Sequence, residues 1–240
     1  MEALGLAIFM ISACFFSALL ESHQSQLNRA IPIGIHRLII MGVMMGLSAL
    51  FIFYFPFTSP SGAHINPAVT ITFLRLGGIQ KWDAMFYIIF QFIGGTLAVY
   101  LMGGLMDDML TSPPVNYAVT IPRKNGTWIA VFTEFAISFA MMSIILFTSA
   151  HDVLKKYTRI IAAIFVSLFV VIAGPVSGFG MNPARTFASA LPSHTWSSFW
   201  IYLFIPVTGM LSAAEFNLLC KKILLKKSRC SASHSQSFIC

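Results

Sequence analysis

Two stretches of this chain end in the same tripeptide, Asn-Pro-Ala: Ser61-Gly62-Ala63-His64-Ile65-Asn66-Pro67-Ala68 and Ser177-Gly178-Phe179-Gly180-Met181-Asn182-Pro183-Ala184. Asparagine is a favourable N-cap, and proline suits the first helical position because no backbone donor is needed there. Each stretch therefore predicts the start of a helix. The runs that follow, 68–76 and 185–191, are shorter than the about 20 residues that a helix needs to cross a bilayer. We therefore predict two re-entrant half-helices, a pattern that points to a site near the membrane midplane.

The composition is that of a membrane protein. Hydrophobic residues make up 57% of the chain and charged residues 10%, whereas about a quarter of the residues are charged in soluble domains. Six longer apolar segments are predicted to be full spans: 4–20, 38–57, 84–106, 128–149, 160–174 and 199–219. The first segment lacks the basic start and the clear cleavage site of a signal peptide, so we interpret it as a span. The predicted fold is an all-α membrane protein with six transmembrane helices and two half-helices.

The basic residues predict the orientation of these spans. Ten of the 15 Lys and Arg residues fall in segments that we place on the cytoplasmic side of the membrane: Arg75, Lys81, Lys155, Lys156, Arg159, Lys221, Lys222, Lys226, Lys227 and Arg229. The others are Arg29, Arg37, Arg123, Lys124 and Arg185. The positive-inside rule then predicts a multi-pass protein of the cell membrane with both termini in the cytoplasm. The net charge of +7 does not indicate a nucleic-acid partner, because the cationic cluster directly follows a span and fits lipid headgroups.

The remaining chemistry-bearing residues form no recognisable catalytic or metal-binding pattern. Four cysteines have neither a disulfide framework nor metal-ligand spacing: Cys14, Cys220, Cys230 and Cys240. We expect no metal, no cofactor and no enzymatic activity, since no metal-ligand cluster or nucleophile-base set is found outside the loops. Asn125-Gly126-Thr127 is a formal glycosylation acceptor on the predicted outer side.

The chain is an internal repeat, with halves at about 1–110 and 125–220. Glu2 begins the first span, Glu134 lies early in the fourth, and each precedes one Asn-Pro-Ala tripeptide. Three spans per half is an odd number, so the halves must lie in opposite senses across the membrane, as an inverted repeat. We predict one membrane domain at 1–225 and a flexible cytoplasmic tail at 226–240.

The paired motifs resemble those of the aquaporin, or major intrinsic protein, family, and the likeness runs from Glu2 to about Leu219. In that family the half-helices meet at the bilayer centre and line one pore per subunit of a homotetramer. The resemblance implies a passive channel for water and small neutral solutes, including glycerol-like ones. Each half-helix N-terminus carries about half a positive charge, so the two together oppose cations and protons. We expect the amides of Asn66 and Asn182 to donate to a passing oxygen.

The same resemblance predicts a selectivity filter. Arg185 matches the filter arginine of the family, and we expect it to face the aqueous mouth, held by backbone carbonyls. Phe179 and Val170 match two further filter positions, and Val170 stands where water-selective members usually have histidine. In the second span, counting back from Asn66 gives Gly46 as the filter position. If one residue is inserted before Ser61, the filter position is Met45. An apolar wall opposite one arginine suits a carbon backbone with hydroxyls on one side.

The sequence leaves the solute open. Residues 178–185 have the form found in glycerol facilitators, and residues 173–178 look like the nodulin-like plant branch. However, Thr186 and Ala190 follow the water-channel pattern, and Tyr202-Leu203 matches neither group. A water-selective aquaporin is therefore the alternative. An ion-coupled secondary transporter is disfavoured because no paired acidic site lies at the midplane, and a purely structural role stays open.

Four buried polar residues are predicted to support the half-helices. By resemblance, Glu2 and Glu134 are braces that accept hydrogen bonds from the loops before the half-helices. A proton relay is disfavoured because the other acidic residues lie at or near the ends of the spans. We expect His64 to bond loop backbone and Gln91 to join two helices.

Overall fold

The computed structural model describes residues 1–123 and 126–236, and within these it describes side chains as far as residue 223. Lys124 and the glycosylation acceptor Asn125 lie outside the described residues. The helices are, in chain order, α1 (Glu2–Glu21), α2 (Gln26–Ala30), α3 (Gly34–Tyr54), α4 (Pro67–Arg75), α5 (Lys81–Met106), α6 (Asp108–Thr111), α7 (Thr127–Ala150), α8 (Thr158–Ser177), α9 (Pro183–Ser193) and α10 (Phe199–Gln236). Short 3-10 helices lie at Ser59–Ser61, Asn116–Ala118 and Lys155–Tyr157. Within these described ranges no strand is present.

Six helices are long and apolar enough to cross a membrane: α1, α3, α5, α7, α8 and the first part of α10. The half-helices α4 and α9 contain only 9 and 11 residues. The predicted fold is therefore confirmed, with shifted ends. Helix α3 begins at Gly34 and ends at Tyr54, and α10 continues as a helix through most of the segment that we assigned to the tail.

Both half-helices begin at the asparagines that the sequence indicated. Asn66 Oδ1 accepts from the amide of Ala68 at 2.9 Å. Asn182 Oδ1 accepts from the amides of Ala184 at 3.1 Å and Arg185 at 3.2 Å. In each case the next residue is a proline at the first helical position. The caps satisfy helix donors that would otherwise be unpaired at membrane depth.

The two halves pack in corresponding ways. Helix α1 lies against α5 and α7 lies against α10, while α3 and α8 pack across the halves. Each half-helix also contacts the last long helix of the other half, α4 with α10 and α9 with α5. A Cβ atom at Gly94 would lie 2.2 Å from the carbonyl oxygen of Ala3, and one at Gly209 would lie 2.8 Å from that of Phe135. Both crossings therefore depend on a residue without a side chain.

Candidate conduction pathway

Within the described residues, three cavities lie between the helices, and we name them outer, central and inner after the orientation that the basic residues predict. The outer cavity, lined by Glu21 and Arg123 among others, has a volume of about 380 Å³. The central cavity contains Asn66 and Asn182 in its wall and has a volume of about 90 Å³. The inner cavity, beside Lys155, has a volume of about 710 Å³. The two asparagines that begin α4 and α9 thus border the smallest of the three spaces.

Shared walls connect these cavities in series. The outer and central cavities share three lining residues, Phe9, Phe179 and Arg185. The central and inner cavities share Phe53, His64, Val69, Ile145 and Ala162. We call the first set the outer neck and the second set the inner neck. These shared residues place the cavities next to one another in the order outer, central and inner, and we call this series the path.

The loops that lead into the two half-helices have the same unusual backbone. Gly62 and Gly178 have φ angles of 84° and 86° and end the preceding helical turns in the left-handed region. In the same region, φ is 48° at Ala63 and 54° at Phe179, and 45° at Ile65 and 48° at Met181. Residues with a Cβ seldom adopt such angles, so surrounding contacts must hold these loops.

In the first half, Glu2 holds the loop. Its carboxylate accepts hydrogen bonds from Ser61 Oγ at 2.6 Å and from the amides of His64 at 3.0 Å and Ile65 at 2.6 Å. Gln91 Nε2 donates a further bond to it at 2.7 Å. Four donors therefore surround a carboxylate that is almost fully buried, at 3% exposure. Gln91 thereby links α5 to α1, and it also donates to Thr70 in α4 at 3.1 Å.

Glu134 holds the loop of the second half in the same manner. It accepts from Ser177 Oγ at 2.6 Å and from the amides of Gly180 at 2.8 Å and Met181 at 2.7 Å. Tyr202 adds a contact of its own, because its hydroxyl donates to the carbonyl of Ser177 at 2.5 Å. These bonds fix the strained loop that leads into α9.

The half-helix asparagines are bonded reciprocally across the repeat. Asn66 Nδ2 donates to the carbonyl of Met181 at 2.8 Å, and Asn182 Nδ2 donates to the carbonyl of Ile65 at 2.7 Å. A side-chain amide carries two N–H groups. One group of each asparagine is therefore committed to the opposite loop, and one is left for the central cavity.

The structure distinguishes the two second-span candidates for the filter. Met45 lines the outer cavity together with Val170, Phe179 and Arg185. Gly46 instead faces α8, where an added Cβ would lie 1.8 Å from Ser167 Oγ and 2.8 Å from the carbonyl oxygen of Ala163. Gly46 therefore serves a close helix crossing, and Met45 is the residue that reaches the path.

Arg185 lies at the outer neck, but its Nη1 atom is not held by backbone carbonyls as we predicted. Its Nη1 atom is buried, and in the described part of the chain it has no hydrogen-bond partner, carbonyl or otherwise. The backbone carbonyls nearest in sequence to the half-helix starts, those of Ile65 and Met181, are already occupied by the asparagine amides. Arg185 thus lines both the outer and the central cavity, while its buried Nη1 atom has no described hydrogen-bond partner.

His64 also differs from the prediction. Its ring bonds a side chain instead of loop backbone, because Nδ1 lies 3.2 Å from Thr70 Oγ1. The ring stacks on Phe73, with centroids 5.0 Å apart, and meets the edge of Tyr87 at 5.5 Å. His64 is thus fixed at the inner neck by contacts on three sides.

The sequence analysis missed Phe9, the one member of the outer neck that belongs to a long helix. Phe9 lies seven residues after Glu2, which is two helical turns and therefore the same helix face. Met141 lies seven residues after Glu134 and also borders the central cavity. The repeat combined with the helical period could have indicated both residues.

The fold and the site define a class: multi-pass membrane proteins with an inverted repeat, in which two capped half-helices meet at a central cavity. The profile of the major intrinsic protein family matches residues 1–216. The chain therefore belongs to the major intrinsic protein family.

Individual relatives agree with this assignment. The chain is 31% identical to "Aquaporin NIP1-2" of Arabidopsis thaliana over 89% of this chain and 70% of the relative, and 31% identical to "Probable aquaporin NIP7-1" of the same plant over 98% and 80%. It is 36% identical to a "Probable aquaporin NIP-type" of Nicotiana alata over 66% of this chain, but it spans only 58% of that relative. The aquaglyceroporin of Plasmodium falciparum has the same fold, with a TM-score of 0.74, 20% identity and coverage of 93% and 96%.

Proposed function

We propose that this protein is a passive channel that conducts water and small neutral solutes and excludes protons and ions. The observation that carries the proposal is the position of Asn66 and Asn182 at the N-termini of two half-helices, in the wall of a central cavity between two larger ones. Family membership favours a channel over an enzyme.

The exclusion of ions follows from the charges at the centre and at the outer neck. Each half-helix N-terminus carries about half a positive charge, and both are directed at the central cavity. Arg185 adds a full charge at the outer neck. Together they raise the energy of any cation on the path. Because two fixed amide donors also orient an oxygen held between them, its protons point outward, which disfavours a continuous proton wire.

The wall of the outer cavity supports conduction of solutes larger than water. Met45, Val170 and Phe179 present apolar surface, and Arg185 presents the donors. A small polyol can place its carbon face on the first three and its hydroxyls on the guanidinium. Thr186 and Ala190, the residues that favoured a water-selective channel, are almost completely buried, each at 1% exposure. Neither one lines the three described cavities, so they do not contact a solute there.

We propose further that four copies assemble as a homotetramer in the cell membrane, with both termini in the cytoplasm and the outer cavity facing outward. The support is the family resemblance together with the distribution of basic residues, since Lys155 and Arg159 line the inner cavity. The membrane domain would then comprise about residues 1–225.

Reconstituted wild-type protein in vesicles tests the function directly. Stopped-flow measurements should show water and glycerol or urea flux that is linear in the gradient and independent of any ion gradient. Proton flux should not exceed that of empty vesicles. Dependence on an ion gradient would favour a transporter, excess proton flux would contradict the exclusion mechanism, and no flux of any kind would favour a structural role.

A further inference from the structure

We propose that the outer cavity is a binding site for a small oxyanion, such as sulfate or a short carboxylate, which is held beside Arg123 and Arg185 and obstructs the path while it is bound. The inference goes beyond the proposed channel function, because the binding itself needs no conduction. It rests on that function only for the expected loss of flux.

The charges of the outer cavity are unbalanced. Three of the described residues that line this cavity are charged: Glu21, Arg123 and Arg185. The charge of Glu21 is already balanced, because Arg37 Nε and Nη2 donate to its two carboxylate oxygens, each at 3.3 Å. Among the described residues, no carboxylate forms an ion pair with Arg123 or Arg185. Two positive charges in the wall of a cavity of about 380 Å³ are therefore left without a described counter-ion.

Backbone contacts place Arg123 at this cavity. Its amide donates to the carbonyl of Val176, in the last turn of α8, at 3.3 Å. Two residues earlier, Ile121 lies so close to the loop before α9 that a Cβ at Gly178 would be 2.8 Å from its carbonyl oxygen. The segment 119–123 therefore packs directly against the loop that leads to Arg185. Both arginines consequently belong to the wall of one cavity.

The side chains of this wall suit an oxyanion. A guanidinium presents its N–H groups in a planar fork that matches two oxygens of a carboxylate or a sulfate. Ser17 and Asn116 line the same cavity and add a hydroxyl and a side-chain amide, both of which can donate. Chloride cannot accept two parallel hydrogen bonds on separate atoms, so an oxyanion should bind more tightly than chloride at equal ionic strength.

The outer neck stops an anion that the positive charges attract. The neck consists of Phe9 and Phe179 together with Arg185, and it leads to a central cavity of only about 90 Å³. An anion in the wider outer cavity keeps part of its hydration water, whereas passage past two aromatic side chains would remove that water at a large cost in free energy. The anion therefore stays in the outer cavity, where it covers the entrance to the outer neck.

Two changes in the charge of the wall should shift the affinity in opposite directions. Arg123→Gln removes one guanidinium and should weaken sulfate binding at least about tenfold, the size of one hydrogen bond to a charged group. Glu21→Gln removes the carboxylate that balances Arg37, so a third positive charge acts on the cavity and the affinity should rise about threefold. Both shifts should be largest at low salt, because the Debye length is about 30 Å at about 10 mM ionic strength.

Equilibrium binding of radiolabelled sulfate to the purified full-length protein in detergent, at about 10 mM ionic strength, tests the site without any need for conduction. Wild type should bind sulfate saturably, and the two variants should shift the affinity as stated. The matched control is Arg29→Gln, which should behave as the wild type, because Arg29 is exposed on α2 and lines none of the three described cavities.

Stopped-flow measurements on vesicles test the obstruction of the path. Sulfate replaces chloride on both sides of the membrane at constant ionic strength. Water and glycerol flux through the wild type should then fall in proportion to the occupancy measured in detergent. The same sulfate concentrations should leave the flux through Arg123→Gln nearly unchanged.

The outcomes separate this inference from the channel function. No saturable binding by the wild type, equal affinities of wild type and Arg123→Gln, or an equal loss in Arg29→Gln would overturn the site. Binding without any loss of flux in a conducting wild type would overturn the obstruction of the path. Wild type without flux would overturn the channel function alone, since the measurement in detergent still decides whether the anion binds. Should Arg123→Gln not fold, Glu21→Gln decides the matter, because an unchanged or lower affinity overturns the proposal.

Discussion

Glu134 accepts, in the second half of the repeat, the same three kinds of hydrogen bond that Glu2 accepts in the first: one from a serine hydroxyl and two from consecutive loop amides. The serine contact is 2.6 Å long in both halves. Glu2 has Gln91 as a fourth donor, whereas the described bonds of Glu134 come from its own loop and Ser177. In each half, the loop whose residues adopt left-handed φ angles thus depends on one buried carboxylate.

Glu134→Gln should destabilise the protein by about 2 kcal/mol or more, because hydrogen bonds to a charged group contribute about 1.5–3 kcal/mol each and an amide offers only one acceptor oxygen. The measurement is thermal unfolding of purified protein in detergent. Glu21→Gln is the control, since Glu21 is partly exposed and pairs with Arg37 at 3.3 Å, and exposed ion pairs contribute about 0–1 kcal/mol. Equal losses in the two variants would contradict the bracing role.

Gly94→Ala should lower the unfolding temperature, and Gly104→Ala should leave it unchanged or raise it. The new Cβ at Gly94 would meet the backbone of α1 at 2.2 Å, which cannot move aside, whereas nothing lies within 4 Å of a Cβ at Gly104. Overpacking costs about 1–3 kcal/mol, while alanine otherwise favours a helix over glycine by about 0.5–1 kcal/mol. A stability gain at Gly94 would show that the α1–α5 crossing is looser than described.

The elements that depend on residues adjacent in the chain could be predicted from the sequence. Contacts between residues that are far apart in the chain could not. Asn66 and Asn182 could be recognised because capping and a following proline leave a signature within three residues. The choice between Met45 and Gly46 could not be made, because it depends on which face of α3 meets Ser167 in a distant helix. The partner of His64 was also misjudged, since Thr70 becomes its neighbour only after α4 has formed.

Mercurials should not block the wild-type pore at the filter, and Phe179→Cys should create the block. Phe179 is partly exposed in the outer neck, so a thiol there is accessible from the outer cavity, whereas Cys14 is fully buried in α1. Water flux with and without the mercurial measures the effect, and a small thiol should reverse it. Phe179→Ser, which shortens the side chain without adding a thiol, should remain insensitive. Strong wild-type inhibition that survives removal of Cys14, Cys220, Cys230 and Cys240 would contradict the placement of Phe179.

Val170→His should reduce glycerol flux much more than water flux. Val170 lines the outer cavity together with Met45 and Arg185, so an imidazole there would narrow the path and replace apolar surface with a polar group. A polyol would lose the wall on which its carbon face lies, while water would gain a hydrogen-bond partner. Val170→Ala, which keeps the wall apolar and widens it, should preserve or increase glycerol flux. The ratio of the two permeabilities in reconstituted vesicles measures the change. Wild type that already excludes glycerol and urea while it conducts water rapidly would show that Thr186 and Ala190 were the better guide to the solute than the residues of the wall.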